Sequence, residues 1–159
     1  MFTFTPMIRS ELIAQIKQKQ SYLCVGLDSD IEKLPSHLNG DVLAFNKAII
    51  EATKDYCVSY KVNTAFYESQ GATGWSNLME TFKMIPDTHF IIADAKRGDI
   101  GNTSNQYAKA FFEKMNCDAV TVAPYMGKDS LQSFLDHKDK WTIVLGLTSN
   151  KGAEDFELL

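Results

Sequence analysis

The hydrophobic positions along the chain fall into short runs rich in β-branched and aromatic residues. Each run is followed by a polar turn and then by apolar residues at helical spacing. This alternation is typical of repeated βα units arranged around a parallel sheet. The pattern therefore predicts an α/β fold, with strands at 22–27, 57–62, 89–93, 119–122 and 142–147.

Helical periodicity is clearest in residues 42–53, whose apolar side chains recur as they would on a helix packed against a sheet. Asp41 stands directly before this segment and is a plausible N-cap. The same spacing predicts helices over 103–115 and around 131–135. Residues 1–19 also show helical spacing, and they lack the continuous apolar run of a signal peptide or a membrane span.

No linker and no shift of composition divides the chain, so residues 1–159 are expected to form a single domain. Five strands alternating with helices suit either a small doubly wound sheet or part of an eight-unit barrel of ~250 residues. Neither the dinucleotide-binding fingerprint nor a P-loop follows any predicted strand, which favours the barrel. We therefore expect the N-terminal portion of a (β/α)8 TIM-type barrel, incomplete at about five to six βα units.

Composition and charge exclude several classes of function. The hydrophobic share of 45% is sufficient for a real core. Sixteen basic and twenty acidic residues give a net charge of -4, so no diffuse positive field exists to hold nucleic acid or an anionic membrane. Cys24, Cys57 and Cys117 are widely spaced and are expected to be reduced, buried packing residues. These features predict a cytoplasmic protein that binds neither nucleic acid nor membranes.

Charged residues stand at several predicted strand ends, which is where barrel enzymes carry their active groups. Asp28 follows the first apolar run, Lys61 lies at the end of the second, and Asp94 and Lys96 follow the third. Alternate residues of a strand share a face, so Asp94 and Lys96 are expected to point together into the barrel mouth. Asp99 adds a second carboxylate, either to this site or to that of a neighbouring subunit.

An alternating set of carboxylates and ammonium groups has a definite chemical use. Two neighbouring carboxylates repel each other, but Lys96, joined by Lys61, can hold both of them ionised. Such a network disfavours a substrate carboxylate electrostatically, and Lys96 can stabilise and protonate the carbanion that forms when the carboxylate leaves. An ordinary surface ion-pair cluster is the alternative interpretation, and the short motif alone leaves both open.

Residues 94–103, with the sequence DAKRGDIGNT, resemble the signature of orotidine 5'-monophosphate decarboxylases of the longer bacterial type, type 2. Segments 24–28, 124–127 and 148–150 also resemble that family, and the similarity spans essentially the whole chain. The resemblance implies a carboxy-lyase without cofactor or metal. This enzyme would convert orotidine 5'-monophosphate to uridine 5'-monophosphate and CO2 in de novo pyrimidine synthesis.

The resemblance also implies roles for the four catalytic candidates. Lys96 would donate the proton to C6 of the pyrimidine, and Asp94 would lie beside the departing CO2. Lys61 would complete the charge network. Asp99 would be lent by the second subunit of a homodimer with shared active sites.

Three further residues are implied to bind the substrate, a nucleoside monophosphate. Asp28 would bind the ribose hydroxyls, and Thr103 would reach the ribose from across the dimer. Ser149 would contact the edge of the pyrimidine.

Members of this family close eight strands and hold the substrate phosphate with late barrel loops, including an arginine near the end. Neither feature occurs in the 159 residues, so we expect a fragment or shortened form that lacks the C-terminal part. Binding energy from a remote phosphate helps to close loops and to orient the reacting ring. We therefore expect a chain without these phosphate-binding loops to lose most of its turnover.

Two alternative functions fit the same residues. One is a related barrel decarboxylase or aldolase acting on a sugar phosphate with bound magnesium, for which Glu68 is a candidate additional carboxylate. The other is a non-catalytic module that dimerises through residues 99–112.

Overall fold

The computed structural model describes residues 6–158, so residues 1–5 and 159 of the predicted domain lie outside it. Five parallel strands alternate with helices in this part of the chain, as the hydrophobic pattern predicted. The strands are β1 (Cys24–Gly26), β2 (Ser59–Asn63), β3 (Phe90–Arg97), β4 (Ala119–Val122) and β5 (Trp141–Val144). The helices are α1 (Arg9–Lys19), α2 (Val42–Thr53), α3 (Ala65–Glu68), α4 (Gly71–Met84), α5 (Gly101–Ala108) and α6 (Lys128–Leu135).

The order of the strands distinguishes the two predicted architectures. Each strand pairs in parallel with the next one in sequence, giving the order β1-β2-β3-β4-β5. A doubly wound sheet reverses its strand order at a switch point, whereas a barrel keeps it sequential. Within residues 6–158, β1 and β5 each pair with a single neighbour. The sheet is therefore an incomplete barrel, as predicted.

Burial follows the position of each strand in the sheet. All of β4 is buried, whereas two of the three residues of β1 and three of the four residues of β5 are exposed. Cys57 and Cys117 are buried as expected, and all three cysteines are free. The prediction is wrong for Cys24, which is exposed because it lies on β1 at the edge of the described sheet.

The helices pack their apolar sides onto the sheet. The Asp41 carboxylate accepts a hydrogen bond of 2.9 Å from the Ala44 amide, which confirms its role as the N-cap of α2. The predicted helix over 103–115 is α5 followed by a π-helical turn at Lys109–Lys114. Among the described residues no helix is both long enough and apolar enough to cross a membrane, since even α4 has only 14 residues.

Helices α3 and α4 were missed by the pattern analysis. Segment 71–84 contains two glycines together with threonine, serine and asparagine, all residues of low helix propensity. Tertiary packing forms this helix instead. A Cβ atom added at Gly74 would lie 1.8 Å from the carbonyl oxygen of Tyr67, so the missing side chain allows α4 to pack directly on α3.

We predict that Gly74→Ala lowers the free energy of unfolding, because the new methyl group forces α4 away from the Tyr67 carbonyl. A loss of about 1 to 3 kcal/mol is expected from overpacking, even though alanine is the better helix former. Urea denaturation measures the change. Gly101→Ala is the matched control, since a Cβ there meets nothing within 4 Å. Equal stability of the two variants would contradict the close approach of α3 and α4.

Candidate active site

The parallel register brings charged side chains from three strands to one edge of the sheet. Lys61 of β2 lies opposite Gly26 of β1, and Asp94 of β3 lies opposite the last residue of β2. The Leu27 amide donates a hydrogen bond of 2.8 Å to the Lys61 carbonyl. This bond holds the start of the loop that carries Asp28 beside Lys61.

Four of the predicted residues form a continuous array of alternating charge, which we call the charge array: Asp28, Lys61, Asp94 and Lys96. Lys61 Nζ lies 3.4 Å from Asp28 Oδ1 and 3.3 Å from Asp94 Oδ2. Lys96 Nζ donates to the other oxygen of Asp94 at 2.7 Å. Each carboxylate oxygen of Asp94 therefore faces a different ammonium group.

The charge array is buried on one side and open to solvent on the other. The Asp94 side chain is only 10% exposed, whereas that of Lys96 is 49% exposed. The side chains of Lys61 and Asp28 are 34% and 39% exposed, between the values for Asp94 and Lys96. A ligand approaching from solvent thus meets both ammonium groups, with the Asp94 carboxylate fixed beneath them.

Thr121 is a site residue that the sequence analysis missed. Its hydroxyl donates a hydrogen bond of 2.9 Å to Asp94 Oδ1 and accepts one of 2.9 Å from the Lys96 amide. It is 7% exposed and lies within β4, the neighbouring strand. A polar residue in the otherwise apolar run Ala119-Val120-Thr121-Val122 was the available signal, since a buried hydroxyl needs partners.

The backbone of Lys96 adopts an uncommon conformation, with φ at 47°. Non-glycine residues at positive φ are strained and concentrate at functional sites. The pairing of β3 with β4 shifts register between Ala93 and Arg97, and Lys96 lies within this irregular stretch of β3. Thr121 accepts from the Lys96 amide on one side, and an Arg97 guanidinium nitrogen donates to the Ala95 carbonyl at 2.6 Å on the other.

The Arg97 side chain is anchored inside the protein at the end of β3. Its guanidinium forms an ion pair with Glu68 of α3. The same group lies over the rings of Tyr107 and Phe111, at 5.4 and 5.5 Å from their centroids. The side chain is 19% exposed. Arg97 therefore ties the end of β3 to α3 on one side and to α5 and its π-helical turn on the other.

The electrostatic setting keeps Asp94 ionised. Burial by itself raises the pKa of Asp94, but hydrogen bonds from Lys96 and Thr121 and the charges of Lys96 and Lys61 outweigh it, so the net pKa lies below its usual value. For Lys61, burial lowers the pKa, and the charges of Asp28 and Asp94 reverse the effect and leave it raised. The charged forms of Lys61 and Asp94 thus stabilise each other.

Three predicted site residues lie outside the charge array. Asp99 accepts from the Ile100 amide at 2.7 Å, and among the described residues it forms no ion pair with Lys96. Thr103 is partly exposed on α5, and Ser149 is exposed in the loop after β5. Within one chain, these three side chains are therefore not in contact with the charge array.

The family model described as "Orotidine 5'-phosphate decarboxylase / HUMPS family" matches residues 21–158. The chain belongs to this family. Its curated relatives include the orotidine 5'-phosphate decarboxylase of Bacteroides fragilis, 56% identical over 158 residues, and that of Flavobacterium johnsoniae, 57% identical over 159. Each alignment covers 96% of this chain and 58% of the relative. The chain thus spans little more than half the length of these relatives.

Solved structures agree with the family assignment. The OMP decarboxylase of Leishmania donovani superposes with a TM-score of 0.82 at 39% identity, over 93% of this chain and 58% of its own. The UMP synthase of the same organism gives a TM-score of 0.84 at 41% identity, over 94% of this chain and 32% of its own. The described part of this chain therefore has the same fold as the matched parts of these two structures.

The magnesium-dependent alternative loses its proposed ligand in this structure. Glu68 was the candidate carboxylate, and the Arg97 guanidinium engages it. Within residues 6–158, no group of three or more His, Cys, Asp or Glu side chains is arranged to hold a metal ion. Curated relatives at 54–57% identity carry the name orotidine 5'-phosphate decarboxylase.

We predict that Thr121→Val destabilises the protein, because the Lys96 amide and Asp94 Oδ1 each lose their hydrogen bond to the Thr121 hydroxyl. The expected loss in the free energy of unfolding is about 1 to 3 kcal/mol, measured by urea denaturation at neutral pH. Thr121→Ser keeps the hydroxyl and is the matched control. If the valine and serine variants were equally stable, the hydroxyl would have no structural importance.

The stability of the protein is expected to depend on pH through Asp94. Because folding lowers the pKa of Asp94, its ionised form stabilises the fold above its unfolded pKa of about 3.9, and this stabilisation is lost as pH falls through the folded pKa. The stability difference between the parent and Asp94→Asn should therefore be largest near neutral pH and should shrink below about pH 4. Chemical denaturation across this range measures it.

Asp99→Asn is the control for that experiment, since it removes one negative charge outside the charge array. A difference between the parent and Asp94→Asn that stayed constant from neutral to acid pH would contradict the electrostatic role of Asp94.

Proposed function

We propose that this chain carries the decarboxylation centre of an orotidine 5'-monophosphate decarboxylase, which produces uridine 5'-monophosphate and CO2 in pyrimidine synthesis. The observation that carries the proposal is the arrangement of Asp94 between two ammonium groups, with Lys96 at 2.7 Å and Lys61 at 3.3 Å. The relatives named as this decarboxylase support the choice of substrate.

The charge array suits loss of CO2 followed by protonation of carbon. A substrate carboxylate placed beside ionised Asp94 is repelled, and the repulsion is relieved as the bond between C6 and the carboxylate carbon breaks. The electron pair of that bond stays on C6 as CO2 leaves. The Lys96 ammonium stabilises this charge and transfers a proton from Nζ to C6. Lys96 is half exposed and regains its proton from solvent.

The remaining members of the charge array, together with Ser149, bind and orient the substrate. Lys61 bridges the Asp28 and Asp94 carboxylates and offsets the repulsion between them. Asp28, at the opposite end of the array from Lys96, accepts hydrogen bonds from the ribose hydroxyls. Ser149 contacts the pyrimidine edge after the loop following β5 moves toward the substrate.

A homodimer with shared active sites accounts for the positions of Asp99 and Thr103. Both lie at the start of α5, outside the charge array of their own chain, and Ile100 between them is 63% exposed. A second copy that covers this surface brings its Asp99 and Thr103 to the first copy's substrate, Thr103 at the ribose. We also place the protein in the cytoplasm, which the free cysteines support.

Release of CO2 from orotidine 5'-monophosphate tests the function, both in this chain and in this chain joined to the part of the Bacteroides fragilis relative outside the matched 158 residues. Lys96→Ala is expected to lower kcat by at least about 10²-fold, because it removes the proton donor. Asp99→Ala is expected to be similarly inactive. A mixture of the two variants should regain activity, since some dimers then combine one intact Lys96 with the other subunit's Asp99.

Folded forms of both proteins that release no CO2 would refute the decarboxylase assignment. An active parent whose two variants do not complement each other would refute only the shared site. Lys47→Ala, which alters an exposed lysine of α2, is the control for the general effect of removing a lysine.

A further inference from the structure

A network of buried polar side chains joins three helices to the loop after β1. Its members are Ser29 in the loop, Asn46 on α2, Tyr67 on α3 and Thr81 on α4. Asn46, Tyr67 and Thr81 have no exposed surface, and Ser29 is 3% exposed. We call these four residues the polar network.

Each polar group in the network has a defined partner. The Asn46 amide nitrogen donates to the hydroxyls of Tyr67 and Thr81, at 2.8 Å in each case. The Asn46 amide oxygen accepts from the Ser29 hydroxyl. The Tyr67 hydroxyl donates onward to the Leu27 carbonyl at 3.0 Å. Apolar residues would fill the same space without the desolvation cost of four polar groups, so their presence calls for an explanation.

The network ends on the two residues that flank Asp28. Tyr67 holds the Leu27 carbonyl on one side, and Asn46 holds the Ser29 hydroxyl on the other. Asp28 itself is 39% exposed, and its carboxylate is joined to the other members of the charge array by one contact of 3.4 Å with Lys61. An exposed aspartate in a loop has many accessible rotamers and backbone states, so fixing both neighbours restricts where its carboxylate lies.

We propose that Asn46 and Tyr67 are positioning residues that hold the Asp28 carboxylate against Lys61 and in place for a ribose hydroxyl. They touch neither the charge array nor the substrate and act through the backbone of residues 27–29. The placement of Asp28 follows from the hydrogen bonds alone. Its consequence for ribose binding rests on the proposed function.

Tyr60 provides a matched control for Tyr67. Both tyrosines are fully buried, and both hydroxyls bond to a backbone carbonyl. The Tyr60 hydroxyl contacts Ile50 and Thr53 near the end of α2, and not the loop that carries Asp28. Tyr60→Phe and Tyr67→Phe therefore delete the same atom from equally buried sites, but only Tyr67→Phe releases Leu27.

The first measurement compares, by calorimetry, the binding of uridine 5'-monophosphate and 2'-deoxyuridine 5'-monophosphate to the joined chain used for the CO2 assay. Asp28→Ala serves as the reference, because it shows how much of the preference for the ribonucleotide is lost when the carboxylate is absent. Tyr67→Phe should reduce the preference for the ribonucleotide by about fivefold, the scale of one neutral hydrogen bond. Tyr60→Phe should keep the parent's preference. If Tyr67 contributed only to stability, folded Tyr67→Phe would keep the parent's preference for the ribonucleotide.

The second measurement needs no ligand and follows the Lys61 Nζ resonance by NMR at constant pH. Asp28→Asn removes the neighbouring carboxylate charge and sets the direction of the shift. Tyr67→Phe should move the resonance in the same direction, whereas Tyr60→Phe should leave it in place. Ser29→Ala removes the other anchor with a smaller change and gives the same test if Tyr67→Phe does not fold.

The outcomes separate the two proposals. If the Lys61 resonance moves as expected but no variant, the parent included, distinguishes the two nucleotides, then Asp28 is positioned as inferred and its proposed ribose role is wrong. If Tyr67→Phe and Ser29→Ala leave the resonance at the parent position, the positioning role is refuted. It is equally refuted if Tyr60→Phe produces the same changes as Tyr67→Phe.

Discussion

The ionised carboxylate of Asp94 is the constraint on which the rest of the site depends. A carboxylate that is 10% exposed is unfavourable unless charged and hydrogen-bonded groups surround it. Lys61, Lys96 and Thr121 meet this requirement from three different strands or strand ends. Their positions are therefore interdependent, and removing any one leaves a charge or a hydroxyl near Asp94 without its partner.

This arrangement is possible because the strands of the sheet are parallel and follow one another in the order of the sequence. Parallel strands present their carboxyl ends at one edge, so residues 33 positions apart, Lys61 and Asp94, come within ion-pair distance. Lys96, whose φ is positive, lies where the pairing of β3 with β4 shifts register, and its Nζ is 2.7 Å from Asp94 Oδ1.

Two sets of interactions behind the charge array restrict its opposite ends. Arg97, paired with Glu68 and covered by aromatic rings, fixes the backbone next to Lys96. The polar network through Asn46 and Tyr67 fixes the loop on both sides of Asp28. The central lysine and aspartate lie on strands and need less support. The partly exposed side chains of Asp28 and Lys96 are thus held in place by groups that are more buried than they are.

The sequence by itself determined the local features of this protein. Hydrophobic periodicity identified five strands and helix α2 with its Asp41 cap, and strand-end position identified Asp28, Lys61, Asp94 and Lys96 as candidates. Only the tertiary structure decided what depends on contacts between distant segments: helix α4, formed by packing against α3 despite poor propensity, and the partners of Thr121, Glu68 and Arg97. Periodicity reports which face of an element is apolar, but a polar side chain's partner depends on strand order and register, which no short stretch of sequence encodes.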